Sequence, residues 1–192
     1  MKRILLLLLL WAPLYACEDE CGSEPALAYF DVEGANLFAL NSPANQTSRS
    51  IVPNESVSRP NLLLAMSLPV RYYSSAPARG GNRAYACSPL EPGQLGTDER
   101  VDSLTIRSRF DYDAQHPAGS SLNDLVALDY LPSGLILEPN RIAEANGQPL
   151  KQLNFRLRRA PTASGPQQFR VRLRLTNGEV YTAETVSFTL LP

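Results

Sequence analysis

The chain has 192 residues, with 18 Lys and Arg against 19 Asp and Glu, one His and three Cys. That near-neutral balance, with 44% apolar residues, excludes a strongly basic nucleic-acid binder and a chain too polar to fold. Sixteen prolines and eleven glycines favour strands and turns over long helices.

The N-terminus reads "MKRILLLLLLWAPLYACEDEC". Lys2 and Arg3 precede an apolar run from Ile4 to Trp11. A membrane-spanning helix takes roughly 20 apolar residues, so this run fits the hydrophobic region of a secretory signal instead. Leu14, Tyr15, Ala16 and Cys17 resemble a bacterial lipobox, although Tyr15 stands where a small residue is usual. Cleavage there removes residues 1–16 and leaves Cys17 as a lipidated terminus. Two or more acyl chains then anchor the chain stably, at about 0.8 kcal/mol per buried methylene. Glu18, Asp19 and Glu20 open an acidic tether, 17–26, and resemble the export signal of surface lipoproteins. The expected location is the outer membrane, lipid-anchored and surface-exposed, with a periplasm-facing placement as the alternative. With Cys17 lipidated, Cys21 and Cys87 remain, to pair in an oxidising compartment or to stay as free thiols. Pairing would stabilise the fold by up to roughly 4 kcal/mol.

Residues 27–192 read as one domain. "LAYFDV" (27–32) and "NLFAL" (36–40) are short strand candidates, and 41–60 is a Ser-, Asn- and Pro-rich loop. "NLLLAMSLPVRYYS" (61–74) reads as one long strand, with an edge or bulge at Pro69, which cannot donate to a ladder. Residues 77–96 are loop-like around a short extended piece, Ala84 to Cys87. "VDSLTIRSRFDYD" (101–113) alternates Leu104, Ile106 and Phe110 inward against Thr105, Arg107 and Arg109 outward.

"DYDAQHPAGSSLND" (111–124) holds the single histidine. Ser121 and Asp124 fit a capping box, and Leu122, Leu125, Val126 and Leu128 then suggest a short amphipathic helix over 122–129. Asp111 and Asp113 begin like a calcium loop, but the glycine at position six and the glutamate at position twelve are missing. One histidine offers too few ligands for zinc. A catalytic His116 would need a nucleophile and an orienting group, and no Gly-x-Ser-x-Gly elbow occurs. His116 therefore reads as part of a structural turn, with no metal, cofactor or catalytic residue assigned.

In the last third, "LNFRLR" (153–158) alternates cleanly, and "QFRVRLRLTNGEVYTAETVSFTL" (168–190) contains the hairpin pair Asn177 and Gly178. A tight two-residue turn sets Leu175 against Val180 and Arg174 against Tyr181. Phe169, Val171, Leu173, Leu175 and Val180 then face inward. The same register puts Glu184 inward opposite Val171, so a bulge near Ala183 or an open sheet end is expected. Arg107, Arg109, Arg156, Arg158, Arg170, Arg172 and Arg174 all face outward. If 153–158 and 168–176 share a sheet, Arg156, Arg158, Arg170, Arg172 and Arg174 become a candidate anion-binding face for phosphate or carboxylate groups of an envelope glycan, or for a protein partner. The alternative is a solvated face of ion pairs with Tyr181 stacked beside Arg174. Charge is uneven along the chain: eight Arg face sixteen Asp and Glu from 17 to 140, while eight Lys and Arg face three Glu from 141 to 192. Halves of opposite sign are expected to pair within one fold.

The lipobox, "SLTIRSRFDYDAQHPAGSSLNDLV" and the C-terminal hairpin resemble uncharacterised lipoproteins of the Bacteroidota, a group defined by a domain of unknown function. The resemblance covers about half the chain. It implies a β-rich cell-envelope lipoprotein and carries no activity or binding residues across. The expected fold is all-β, an antiparallel β-sandwich (immunoglobulin-like or transthyretin-like) with one short helix near 122–129. The expected function is a non-catalytic binding or adhesion module, held on the membrane by its N-terminal lipid and without nucleic acid as a partner. The alternative is a structural or accessory subunit of a surface assembly such as a pilus or transporter. A hydrolase using His116 ranks last.

Overall fold

The computed structural model describes residues 29–73, 92–93, 96–97, 99–130, 135–145 and 151–192. The readings at Cys17, Cys21 and Cys87, the tether, and the extended piece 84–87 lie outside them. In chain order the first strands are β1 (Tyr29–Val32), β2 (Asn36–Asn41), β3 (Arg49–Ser50), β4 (Ser56–Ser58), β5 (Leu62–Ser67) and β6 (Val70–Tyr73). Next come β7 (Val101–Ser108), β8 (Val126–Tyr130), β9 (Leu135–Leu137) and β10 (Gln152–Leu157). The last are β11 (Gly165–Gln167), β12 (Phe169–Leu175), β13 (Val180–Glu184) and β14 (Phe188–Leu191). The fold is an all-β sandwich, and the helical elements among the described residues are 3-10 turns. No helix among these residues is long and apolar enough to cross a membrane.

One layer is a six-stranded antiparallel sheet in the order β3-β2-β5-β10-β8-β9. The other side is built from β13-β12-β7 and from β11-β14-β4, in which β14 and β4 run parallel, with β1-β6 as a separate ribbon. Period-two alternation directs one side of each strand into a shared core. Phe155 and Met66 from the large sheet join Ile106, Phe169 and Phe188 in a single buried cluster, and the Phe169 and Phe188 rings meet at 6.0 Å.

The long strand expected over 61–74 is two strands. β5 pairs with β2 and β10, the chain turns at Leu68 and Pro69, and β6 pairs only with β1. A proline without an N–H ends the first ladder, which is the stronger form of the edge or bulge expected there. The supposed loop 41–60 contains β3 and β4, whose two and three residues are too short to show a period.

The expected helix over 122–129 is replaced by a single 3-10 turn, Asn123–Leu125, followed by β8. The capping box does not close: the Ser121 hydroxyl accepts from the Asn123 N–H at 3.3 Å, and Asp124 turns to His116. Val126 and Leu128 also satisfy a strand period, and β10 supplies a ladder for 126–129. A tertiary partner thus outweighs a marginal local helix signal.

The hairpin at Asn177 and Gly178 forms, but one residue out of the expected register. Arg174 faces Val180, Leu173 faces Tyr181 and Arg170 faces Glu184. The Gly178 N–H donates to the Leu175 carbonyl, the Leu175 N–H donates to the Glu179 carbonyl, and Gly178 alone takes positive φ, at 95°. This is a three-residue loop with a glycine bulge, since a two-residue type I′ turn would need positive φ at Asn177 as well. Shifting the register by one inverts which side chains face the core. Ala183 therefore points inward, Val180 is 42% exposed and Glu184 lies outside on Arg170. The bulge expected near Ala183 sits at the turn instead. Tyr181 does not stack beside Arg174; its hydroxyl donates to the Val32 carbonyl at 2.6 Å.

Candidate functional site

The turn at 111–124 organises itself through its own carboxylates. Asp111 Oδ1 accepts the Ala118 N–H at 2.7 Å. Asp113 Oδ1 accepts the backbone N–H groups of Gln115 and His116 at 2.9 Å each, and lies 2.7 Å from His116 Nδ1. Arg159 reaches Asp113 Oδ2 at 2.9 Å, and His116 Nε2 lies 3.2 Å from Asp124. Both imidazole nitrogens thus face carboxylates in a ring that is only 8% exposed. The hydrogen bond to Asp113 raises the His116 pKa, burial opposes it, and Asp124 adds to the rise. Burial pushes Asp113 upward, but the His116 ring and the two backbone donors outweigh it and hold the carboxyl at about 2. The two acids that begin like a calcium loop are occupied by backbone donors and cations.

Asn123 fastens this turn to the edge of β7, a role the sequence does not announce. Its Oδ1 accepts the Ile106 N–H at 2.9 Å, and its Nδ2 donates to the Leu104 carbonyl at 2.8 Å and to Asn140 at 2.7 Å. The Leu122 N–H donates to Ile106 and the Gly119 N–H to Ser108, so an otherwise open edge is covered. Gln167, also unforeseen, accepts from the Ser108 hydroxyl at 2.6 Å and donates to the Asp111 carbonyl.

The arginines expected to face outward are all exposed, but they do not form one face. Arg156 and Arg158 belong with β10 of the six-stranded sheet, where Arg158 pairs with Glu138 at 3.1 Å. Arg170, Arg172 and Arg174 lie on β12, next to β7 with Arg107. On the outer surface of β13-β12-β7 the cross-strand rows are regular. Val180, Arg174 and Ser103 form one, Thr182, Arg172 and Thr105 the next, and Glu184, Arg170 and Arg107 the third. Arg109 follows, its N–H donating to the Gln168 carbonyl. A register shift between Arg174 and Leu175 leaves Asp102 as the extra residue on β7, with its carboxylate 3.7 Å from Arg174 Nε. Among the described residues, five arginines on this face thus meet two carboxylates, those of Glu184 and Asp102.

Where the turn folds against this sheet, an open cleft of about 480 Å³ lies between Arg107, Arg109, Arg170, Gln168, Glu184 and Gly119. A single oxygen of Glu184, Oε1, accepts from both Nε and Nη2 of Arg170. Gln168 donates to Glu184 at 3.3 Å and to the Thr185 carbonyl at 3.1 Å, so its amide hydrogens are engaged. Arg109 reaches Gln168 Oε1 only at 3.4 Å, and the Arg107 guanidinium has no hydrogen-bond or ion-pair partner among the described residues. The cleft therefore offers guanidinium donors that the other described residues leave unfilled.

Among the described residues, the group with metal-ligand spacing is Asp31, Glu99 and Glu179, whose carboxylates lie within 4.8 Å of one another. They are already engaged: Glu99 accepts from the Val32 N–H and from Asn177, Asp31 accepts from Arg71, and Glu179 lies 2.7 Å from the Tyr181 hydroxyl, which it shares with the Val32 carbonyl. Burial and then the two neighbouring acids raise the Glu99 pKa. No known protein family, curated protein or solved structure matches the chain.

Proposed function

We propose that the chain is a lipid-anchored cell-envelope protein and a non-catalytic binding or adhesion module whose working surface is the outer face of β13-β12-β7. The observation that carries this reading is the excess of guanidinium groups on that face, five against two carboxylates among the described residues, on a chain that is net acidic as a whole. Cations in such excess raise the local concentration of anionic partners. Location rests on the lipobox-like residues ending at Cys17 and on the acidic Glu18, Asp19 and Glu20, which resemble the export signal of surface lipoproteins. The assembly-subunit reading needs an open strand edge to receive or donate a strand. On β7 that edge is taken by Asn123 and the 119–122 backbone, which weighs against it there.

Two measurements test the reading. Protease shaving of intact cells should cleave the native protein and spare Cys17→Ala, which cannot be anchored; protection of both would turn the protein towards the periplasm. Reversing charge with Arg170→Glu and Arg172→Glu should abolish retention on isolated anionic envelope material at low salt. Retention unchanged by that pair would remove the face from the reading.

A further inference from the structure

The geometry points to the cleft between β7, β12 and the histidine turn as the seat of one oxyanion, a carboxylate, phosphate or sulfate group carried on an envelope saccharide. The inference rests on the binding-module reading above and names its ligand chemistry.

Three observations support it. Arg107 and Arg170 are directly opposed across β7 and β12. Like charges in that position destabilise a sheet unless an anion lies between them. Glu184 supplies one such anion, but it holds Arg170 from the β13 side and leaves Arg107 unmatched. Second, Arg107 and Arg109 are two residues apart on one face, so both heads line the same opening. Guanidinium forks bind planar oxyanions through paired N–H groups, which a lysine cannot reproduce. Third, the backbone wall at Ala118 and Gly119 is held in place by the Asp111 carboxylate and the Ser108 carbonyl, so the cleft is shaped before anything binds.

The surroundings favour a saccharide over a lipid surface. From the cleft along the sheet, Arg172 and Arg174 are flanked by Thr105, Thr182 and Ser103, and Val180 is the one apolar side chain in these rows. Hydroxyl groups alternating with guanidiniums suit a polyhydroxylated chain. They offer little apolar surface to insert among acyl chains.

The test uses the full chain in detergent micelles, with trigalacturonate as the carboxylate probe. Its neutral counterpart trigalactose, inorganic phosphate and anionic lipid vesicles serve as the comparison arms. Trigalacturonate should bind, trigalactose should not, and phosphate should compete. Replacing Arg107 and Arg109 together by Gln should weaken binding by about tenfold or more, the equivalent of at least one charge-assisted hydrogen bond. Replacing both by Lys, which keeps the charge and removes the fork, should give an intermediate loss, with thermal melts verifying that each variant is folded. The paired substitutions Arg49→Gln with Arg71→Gln lower net charge equally, at positions that do not line the cleft, and should cost much less.

If Arg172→Gln with Arg174→Gln weakens binding as much as the cleft pair, the anion is held by the face at large. The seat is then overturned while the binding-module reading stands. If vesicles bind and trigalacturonate does not, the saccharide is overturned. A native chain that ignores every anionic probe yet is retained on isolated envelope material overturns the oxyanion seat alone. Retention on neither overturns both.

Discussion

In the turn at 111–124, the two ring nitrogens of His116 face Asp113 and Asp124, and Asp113 also carries Arg159 and two backbone N–H groups. In the cleft along its flank, Arg107 stands opposite Arg170, and the one carboxylate of that row, Glu184, holds Arg170 from the far side. Both regions are polar and both border β7. The difference is in satisfaction. Groups matched to one another hold a shape, whereas groups that exceed their partners are poised to meet something else. By that criterion the histidine, the most conspicuous residue in the sequence, holds the turn together, and the plainer arginines are the groups proposed to make the contact.

The harshest way to break the turn is through Asn123. Asn123→Ala removes the side chain that pairs with the Ile106 N–H and the Leu104 carbonyl, both on β7. Each backbone group left buried without a partner costs about 1–3 kcal/mol, so the substitution should lower unfolding free energy by roughly 2–4 kcal/mol in urea denaturation. A loss below about 0.5 kcal/mol would mean that water or a shifted strand replaces the amide, and that the turn is fastened elsewhere.

Removing His116 should have a smaller effect, and a pH-dependent one. The raised pKa of His116 means that its contribution is complete below its ordinary value of 6.5 and fades as pH rises through the higher folded value. The lowered pKa of Asp113 means that its contribution is complete above 3.8 and is lost as pH falls towards about 2. Native stability should therefore hold a plateau between these limits and decline on both sides. In His116→Gln the alkaline decline should vanish and the acid decline should shrink, because the histidine ring is the largest of the groups that hold Asp113 down. Stability curves of equal shape for the two proteins would show that the clasp contributes nothing through protonation.

How far each region could be read from the sequence follows from where its partners lie. The outward arginines and the inward Phe169, Val171 and Leu173 follow from alternation, and proline's missing donor marks the break at Pro69 as an edge or bulge without showing that the strand ends there. The segment 122–130 does not, because Leu122, Leu125, Val126 and Leu128 suit a helix as well as a strand, and the choice falls to β10, about thirty residues further on. The hairpin carried its own warning: a tight turn drove Glu184 into the core, and a single glycine bulge places it on Arg170. The cleft was beyond reach, since it depends on β7 lying beside β12 with Arg107 level with Arg170, a pairing across more than sixty residues that no local pattern encodes.

The gentlest test of the contrast has the opposite sign. Arg107→Thr takes one cation out of a like-charged cross-strand pair and puts a β-branched residue on an exposed strand, a change that favours the folded state on both counts. Unfolding free energy should rise by about 0.2–0.5 kcal/mol at low salt, and the gain should shrink as salt screens the two guanidiniums. The same substitution should weaken binding of an anionic saccharide. A residue whose removal strengthens the fold while weakening recognition is held for the ligand and not for the sheet, as stability and function trade against one another at binding sites. If Arg107→Thr instead destabilises the protein at every salt concentration, Arg107 is held by the fold in the way that His116 is, and the two regions would no longer differ in kind.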